Sequence, residues 1–296
     1  MISRRVFTAF GLAALAAPLA LAQSRPTVAR GTFRYAHAPG APADLQSLDL
    51  YPAPNRHAPL VVFIHGGGWR IGDKQNGAAG PEKAAFFNPL GYAFASVNYR
   101  LSPNVQHPAH VEDVAAALAW LHDNAGAQNI DQAFDPSRIH IMGHSAGAHL
   151  AALVAIDPRY LGRHGKSLSL VKGVIVLDGA GYDMTRQAPA VIARGGFLGQ
   201  MYSGAFGADP AGWRDASPTL LVERGRGIAP YLIVHASRPD SASQSRALAA
   251  RLREAGVDVR LYEARGYTHA QVNRRIGEPG EAVTREITDA LARWGG

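Results

Sequence analysis

The chain has no cysteine among its 296 residues. That absence excludes disulfide staples, thiolate nucleophiles and zinc sites built on cysteine, so stability must come from a buried core. Lysine is scarce too: only a few of the 30 basic residues are lysines, and none cluster with aromatics as in a nucleic-acid groove. The formal charge of +7, of which Arg4 and Arg5 carry two, therefore reads as a solvated surface, and nucleic acid is not an expected partner. No repeat of solenoid or propeller period is present. The GxGxxG spacing and the GK[ST] of a phosphate loop are missing as well, so no cofactor is expected. Charged residues make up 18% and hydrophobic residues 47%, which rules out a disordered or fibrous chain and leaves enough apolar mass for one large core.

An apolar N-terminal stretch, FTAFGLAALAAPLALA, follows Arg4 and Arg5. It falls short of the roughly 20 residues a membrane span needs and is broken by Pro18, so a stable anchor is not expected. Its small-x-small end at Ala20, Leu21 and Ala22 marks a signal peptide over residues 1–22 and a periplasmic or secreted mature protein. The Ser-Arg-Arg-x-Phe start resembles a twin-arginine signal; a general secretory signal is the alternative.

From Leu60 onward, short β-rich runs alternate with helical patterns, the signature of βα units around a mostly parallel sheet. LVVFIH, YAFASVNY, RIHIM, GVIVLD, YLIVHA and VDVRLYEA read as strands buried on both faces. GTFRYAH and QSLDLYP read as a leading antiparallel pair at one sheet edge. Helices are expected over 110–125, 146–156, 241–256 and 281–294. Residues 23–296 are expected to form a single α/β domain. Within it, periodicity dissolves over 179–227, either a cap over a site or an ordered excursion of short helices.

The chemistry concentrates in two glycine-rich turns. GHSAG (Gly143 to Gly147) lies between the strand RIHIM and a small-residue helix. A serine on such a strand-to-helix turn is strained, so its neighbours two away must lack a side chain, and its Oγ projects from the sheet edge with a helix N-terminus beneath it. Ser145 is thus the candidate nucleophile. HGGGW (His65 to Trp69) ends an earlier strand, and its glycines let backbone N–H groups face a reacting oxygen; Gly67, Gly68 and the N–H of Ala146 are the oxyanion-hole candidates.

Together these motifs resemble the α/β-hydrolase superfamily in its branch of HGGG-type carboxylesterases and lipases, a motif pair that defines the family. HGGGWRIGDK, SVNYRLSP, HVEDVAAALAWL and RIHIMGHSAGAHLAAL are most similar to the bacterial feruloyl-esterase and arylformamidase-like subgroup. The resemblance implies an α/β-hydrolase fold and a triad in the order serine, acid, histidine. It assigns Ser145, Asp240 in YLIVHASRPDSASQS and His269 in ARGYTHAQVN. A serine hydroxyl needs such a base at neutral pH, and the base needs an acceptor to fix its tautomer. Members usually read HGxxD where this chain reads HASRPD, and Asp178 at the end of GVIVLD is the rival acid. The pairs His107/His110 and His144/His149 lack a third ligand at metal-site spacing, so no metal is expected.

The expected function is hydrolysis of a small or medium carboxylic ester, aromatic esters included, through an acyl-enzyme, with a small-molecule ester as the partner. An arylformamidase-like amide or formamide hydrolase is the alternative, and a non-catalytic binding protein of the same fold a further one. Tyr182, Phe197, Tyr202, Phe206 and Trp213 are candidate pocket-lining aromatics.

Overall fold

The computed structural model describes residues 31–295 apart from 77, 129 and 131, so the expected signal peptide lies outside the described residues. Eight strands form one sheet: β1 (Gly31–Arg34), β2 (Ser47–Tyr51), β3 (Ala58–Ile64), β4 (Ala93–Val97), β5 (Phe134–His144), β6 (Val171–Leu177), β7 (Tyr231–Ala236) and β8 (Val259–Ala264). Their spatial order is β1-β2-β4-β3-β5-β6-β7-β8. β2 runs antiparallel to both β1 and β4, which places the expected antiparallel pair at one edge; β4 through β8 are parallel.

The apolar runs become strands because both faces are covered. In β3, Leu60, Val62 and Ile64 point into one buried cluster and Val61 and Phe63 into another on the opposite face, so every position must be apolar. Helices supply the covering: α1 (Pro81–Phe87), α2 (Ala109–Asn124), α3 (Ala146–Ile156) and α4 (Pro158–Gly162). All eleven residues of α3 are buried, which explains its alanine-rich composition: only small side chains allow a helix to be enclosed on every side.

The aperiodic stretch 179–227 contains four helices, α5 (Met184–Arg194), α6 (Gly196–Phe206), α7 (Pro210–Asp215) and α8 (Pro218–Leu221). Gly195 and Gly196 both take positive φ where α5 turns into α6, a conformation glycine adopts freely. The chain closes with α9 (Pro239–Glu254), α10 (Gln271–Arg274) and α11 (Ala282–Arg293). α9 starts two residues before the expected 241, because Pro239 sits in its first turn, where proline loses no hydrogen bond. The whole arrangement is an α/β-hydrolase fold. Because β3 and β5 to β8 are parallel, the loops after their C-terminal ends gather along one edge of the sheet, where crevices form in such folds.

Candidate active site

Ser145 follows β5 directly and holds φ 57° and ψ −119°, outside the conformations a non-glycine residue prefers. Its flanking glycines are required sterically. A Cβ on Gly143 would lie 2.2 Å from the Gly147 carbonyl oxygen, and one on Gly147 would lie 2.1 Å from that of Ile64. The strained turn lifts the serine off the sheet and starts α3 at Ala146, so the first amides of that helix, which have no intrahelical partner, lie beside the hydroxyl.

His269, in the loop after β8, reaches back to the serine: its Nε2 lies 3.1 Å from Ser145 Oγ. Its Nδ1 lies 2.6 Å from Asp178 Oδ2. The expected pairing of His269 with Asp240 is therefore corrected to Asp178. Helix α9 begins at Pro239, which puts Asp240 on its first turn, exposed. Asp178 leaves β6 with φ 42°, and its N–H donates to the Val234 carbonyl at 2.7 Å, so the carboxylate is pinned between the ends of β6 and β7.

Four donors converge on the buried Asp178 carboxylate. Besides His269, Ser241 Oγ donates at 2.5 Å, the Ala236 N–H at 2.9 Å and Arg238 Nε at 3.1 Å. Burial alone would push this carboxyl up, but the hydrogen bonds from His269, Ser241 and Ala236, with the Arg238 charge, hold it well below the usual range. It is thus an anion built to accept a hydrogen bond from Nδ1–H, which leaves the Nε2 lone pair for the serine. Ser241 and Arg238 escaped the sequence reading; both flank Asp240, and their signal was the crowding of polar groups in SRPDS.

His144, inside the elbow, also escaped assignment. Its Nε2 lies 2.9 Å from the His269 carbonyl and its ring 4.6 Å from the His269 ring. Burial, with the neighbouring His269, lowers it to about 3, so it stays neutral and donates from Nε2.

The oxyanion-hole candidates lie at the same edge. Gly67 and Gly68 have φ of 116° and 60°, and a Cβ on Gly68 would lie 1.6 Å from Met201 Cε of α6. Gly67, Gly68 and Ala146 line one cavity with Ser145, of about 370 Å³. Its outer wall comes from α5 and α6, including Val191, Leu198 and Met201, and of the five candidate aromatics Phe197 and Tyr202 line it. Tyr182 and Phe206 are buried in the core, and Trp213 packs half-buried against it. Trp69 joins the wall, its ring edge-on to His149, Tyr202 and Phe206 at 4.8–5.4 Å. Arg238 and Asp240 stand at the same cavity.

A second cavity of about 230 Å³ adjoins the first, sharing Gly67, His144 and His269 with it. Among the described residues no group of three or more histidine or acidic side chains is placed to hold a metal ion, and no helix is long and apolar enough to cross a membrane.

Comparison with known proteins places this geometry among relatives. Esterase LipQ of Mycobacterium tuberculosis (strain ATCC 25618 / H37Rv) is 30% identical over 263 residues, covering 86% of this chain; the chain spans 60% of that relative's length. A kynurenine formamidase from Meyerozyma guilliermondii is 33% identical over 144 residues, covering 48% of this chain and 51% of the relative. The solved structure of EstE1, a thermophilic carboxylesterase cloned from a metagenomic library, superposes with a TM-score of 0.66 at 26% identity, covering 84% of this chain and 83% of that one. The family model BD-FAE matches residues 48–252, the span that carries HGGGW, the elbow, Asp178 and the Asp240 loop, and the chain belongs to the BD-FAE family.

Proposed function

We propose that the protein hydrolyses carboxylic esters through an acyl-enzyme formed on Ser145. The observation that carries this reading is the unbroken relay from Ser145 Oγ to His269 Nε2 at 3.1 Å and from His269 Nδ1 to Asp178 Oδ2 at 2.6 Å. His269 takes the serine proton as Oγ attacks the carbonyl carbon. Asp178 fixes the imidazole tautomer and stabilises the imidazolium. The amides of Gly67, Gly68 and Ala146 stabilise the oxyanion, His269 returns the proton to the leaving alcohol, and water then repeats the cycle to free the acid.

The wall of Trp69, Phe197, Leu198, Met201 and Tyr202 favours a small or medium acyl group, aromatic groups included. Relatives named as esterases support ester hydrolysis. A formamide hydrolase is the second reading, favoured by the kynurenine formamidase relative, since the same relay cleaves either bond.

Initial rates of the mature protein and Ser145→Ala on p-nitrophenyl esters of rising chain length, a methyl hydroxycinnamate and N-formylkynurenine test both. Serine-dependent cleavage of the esters supports the first reading, and activity confined to the formamide supports the second. Inactivity of the wild type on all of them would overturn both and favour a binding protein of this fold.

A further inference from the structure

A third cavity, of about 270 Å³, adjoins the one that holds Ser145, and the two share Gln187, Val191, Arg194 and Asp240. Gln187, Val191 and Arg194 recur at helical spacing, so one face of α5 lines both. Gln187 Oε1 accepts the Gly181 N–H at 2.7 Å, which ties the start of that face to the loop leaving Asp178. Arg194 ends the helix, about 10 Å further along its axis. Between these ends the wall of the serine cavity is apolar, with Val191, Leu198 and Met201 on it.

The charged groups here are unequally engaged. The guanidinium groups of Arg186 and Arg194 are exposed and make no hydrogen bond or ion pair among the described residues. Arg238, beside Ser145, gives Nε and Nη2 to Asp178 and keeps the two N–H groups of Nη1. Against them only the exposed carboxylate of Asp240 is open. Asp183 caps α5, accepting from Thr185 Oγ1 at 2.6 Å and from the Arg186 N–H at 3.3 Å, and Asp178 is buried under its four donors. The accessible, unengaged charge is thus mainly positive, and a guanidinium matches a carboxylate in both charge and shape. An exposed guanidinium is hydrated and needs no partner, so what points to a ligand is position: Arg194 stands at the far end of an apolar wall that begins at a nucleophile.

We propose that this site prefers esters whose acyl chain ends in a carboxylate, and that Arg194 sets the preference, with Arg186 in the adjoining cavity adding to it. The inference rests on the ester-hydrolase reading above. The chain of such an acyl group lies along Val191, Leu198 and Met201, its ester carbonyl at Ser145 Oγ and its free carboxylate at the Arg194 guanidinium. Asp240 opposes the same group by repulsion and so tunes the preference downward.

The test compares p-nitrophenol release from p-nitrophenyl hydrogen adipate with release from its neutral methyl ester, p-nitrophenyl methyl adipate, at low ionic strength. The two share a chain and a leaving group and differ in charge at the far end. The wild type should favour the anion about fivefold in kcat/KM, with the difference in KM, as an exposed ion pair provides. Arg194→Gln should bring the ratio down to about one, Arg194→Lys should keep part of it, and Asp240→Asn should raise it about twofold. Salt at about 0.5 M should shrink the wild-type ratio, because the groups are exposed. A wild-type ratio of one or less, a ratio that Arg194→Gln leaves unchanged, or faster release from the cationic p-nitrophenyl 6-aminohexanoate than from the anion would overturn the proposal. Absence of p-nitrophenol release from anion and neutral diester alike would instead remove the ester-hydrolase reading itself.

Discussion

At the scale of single residues, the two acids at the sheet edge differ in what surrounds them. Asp178 is buried and receives four hydrogen bonds, one of them from His269. Asp240 is exposed on the first turn of α9. Asp178→Asn is therefore expected to lower kcat by about 10³- to 10⁴-fold, because the amide cannot hold the productive tautomer. Asp240→Asn should change kcat by less than about threefold, since it removes no contact with the imidazole. Steady-state kinetics of the pair on one ester decides it; a large loss in Asp240→Asn with a small one in Asp178→Asn would reverse the assignment. The sequence nominates both acids, but the family resemblance favours Asp240, and that choice is the one the geometry reverses. The choice depends on which strand's exit loop bends toward His269, a matter of tertiary geometry; Pro239 is a helix-start signal that the expected boundary at 241 passed over, and it sets Asp240 on the first turn of α9.

At the scale of elements, the strands were the most legible part of the chain, since a parallel strand enclosed on both faces must be a continuous apolar run. β5 contains one exception, as do β4 with Ser96 and β7 with His235. His140 is fully buried, stacks on Trp294 at 6.1 Å, and neither ring nitrogen has a partner among the described residues. Burial, with Arg138 and Lys172 nearby, lowers it to about 4. Between that value and its ordinary 6.5, the unfolded chain binds a proton that the folded chain refuses, so the wild type loses stability as pH falls through the window. His140→Leu should raise stability by about 1 kcal/mol at pH 7 and by more at pH 5, measured by urea unfolding at both. The elbow behaves oppositely. Gly147→Ala is expected to cost about 1–3 kcal/mol or more, since its new Cβ would meet backbone. Gly126→Ala, with nothing within 4 Å of the added carbon, should stay within about 0.5 kcal/mol, both variants being compared by urea unfolding at pH 7. The helices of 179–227 were legible only as one of two readings and without bounds, because segments packed on a scaffold need little periodicity of their own.

At the scale of the whole molecule, His110, His144 and His149 are buried and held neutral, each lowered to about 3, chiefly by burial. With His140 they make the fold sensitive to acid. Unfolding must protonate them together, so stability should fall by more than about 3 kcal/mol per pH unit between pH 5.5 and 4.5, as read from urea unfolding followed by circular dichroism at each pH. A slope near 1 kcal/mol per unit would show that these rings are solvated. The leader is a separate matter: we propose that residues 1–22 direct export, and N-terminal sequencing of the exported protein should begin at Gln23.

Trp69 links these scales. Its indole joins the loop after β3 to His149 of α3 and to Tyr202 and Phe206 of α6, at the wall of the cavity that holds Ser145. The chain thus carries its own optical probe of that wall. With Trp120, Trp213 and Trp294 replaced by phenylalanine, the emission colour of the remaining indole reports, without any label, whether α6 stays seated or lifts away as an ester enters.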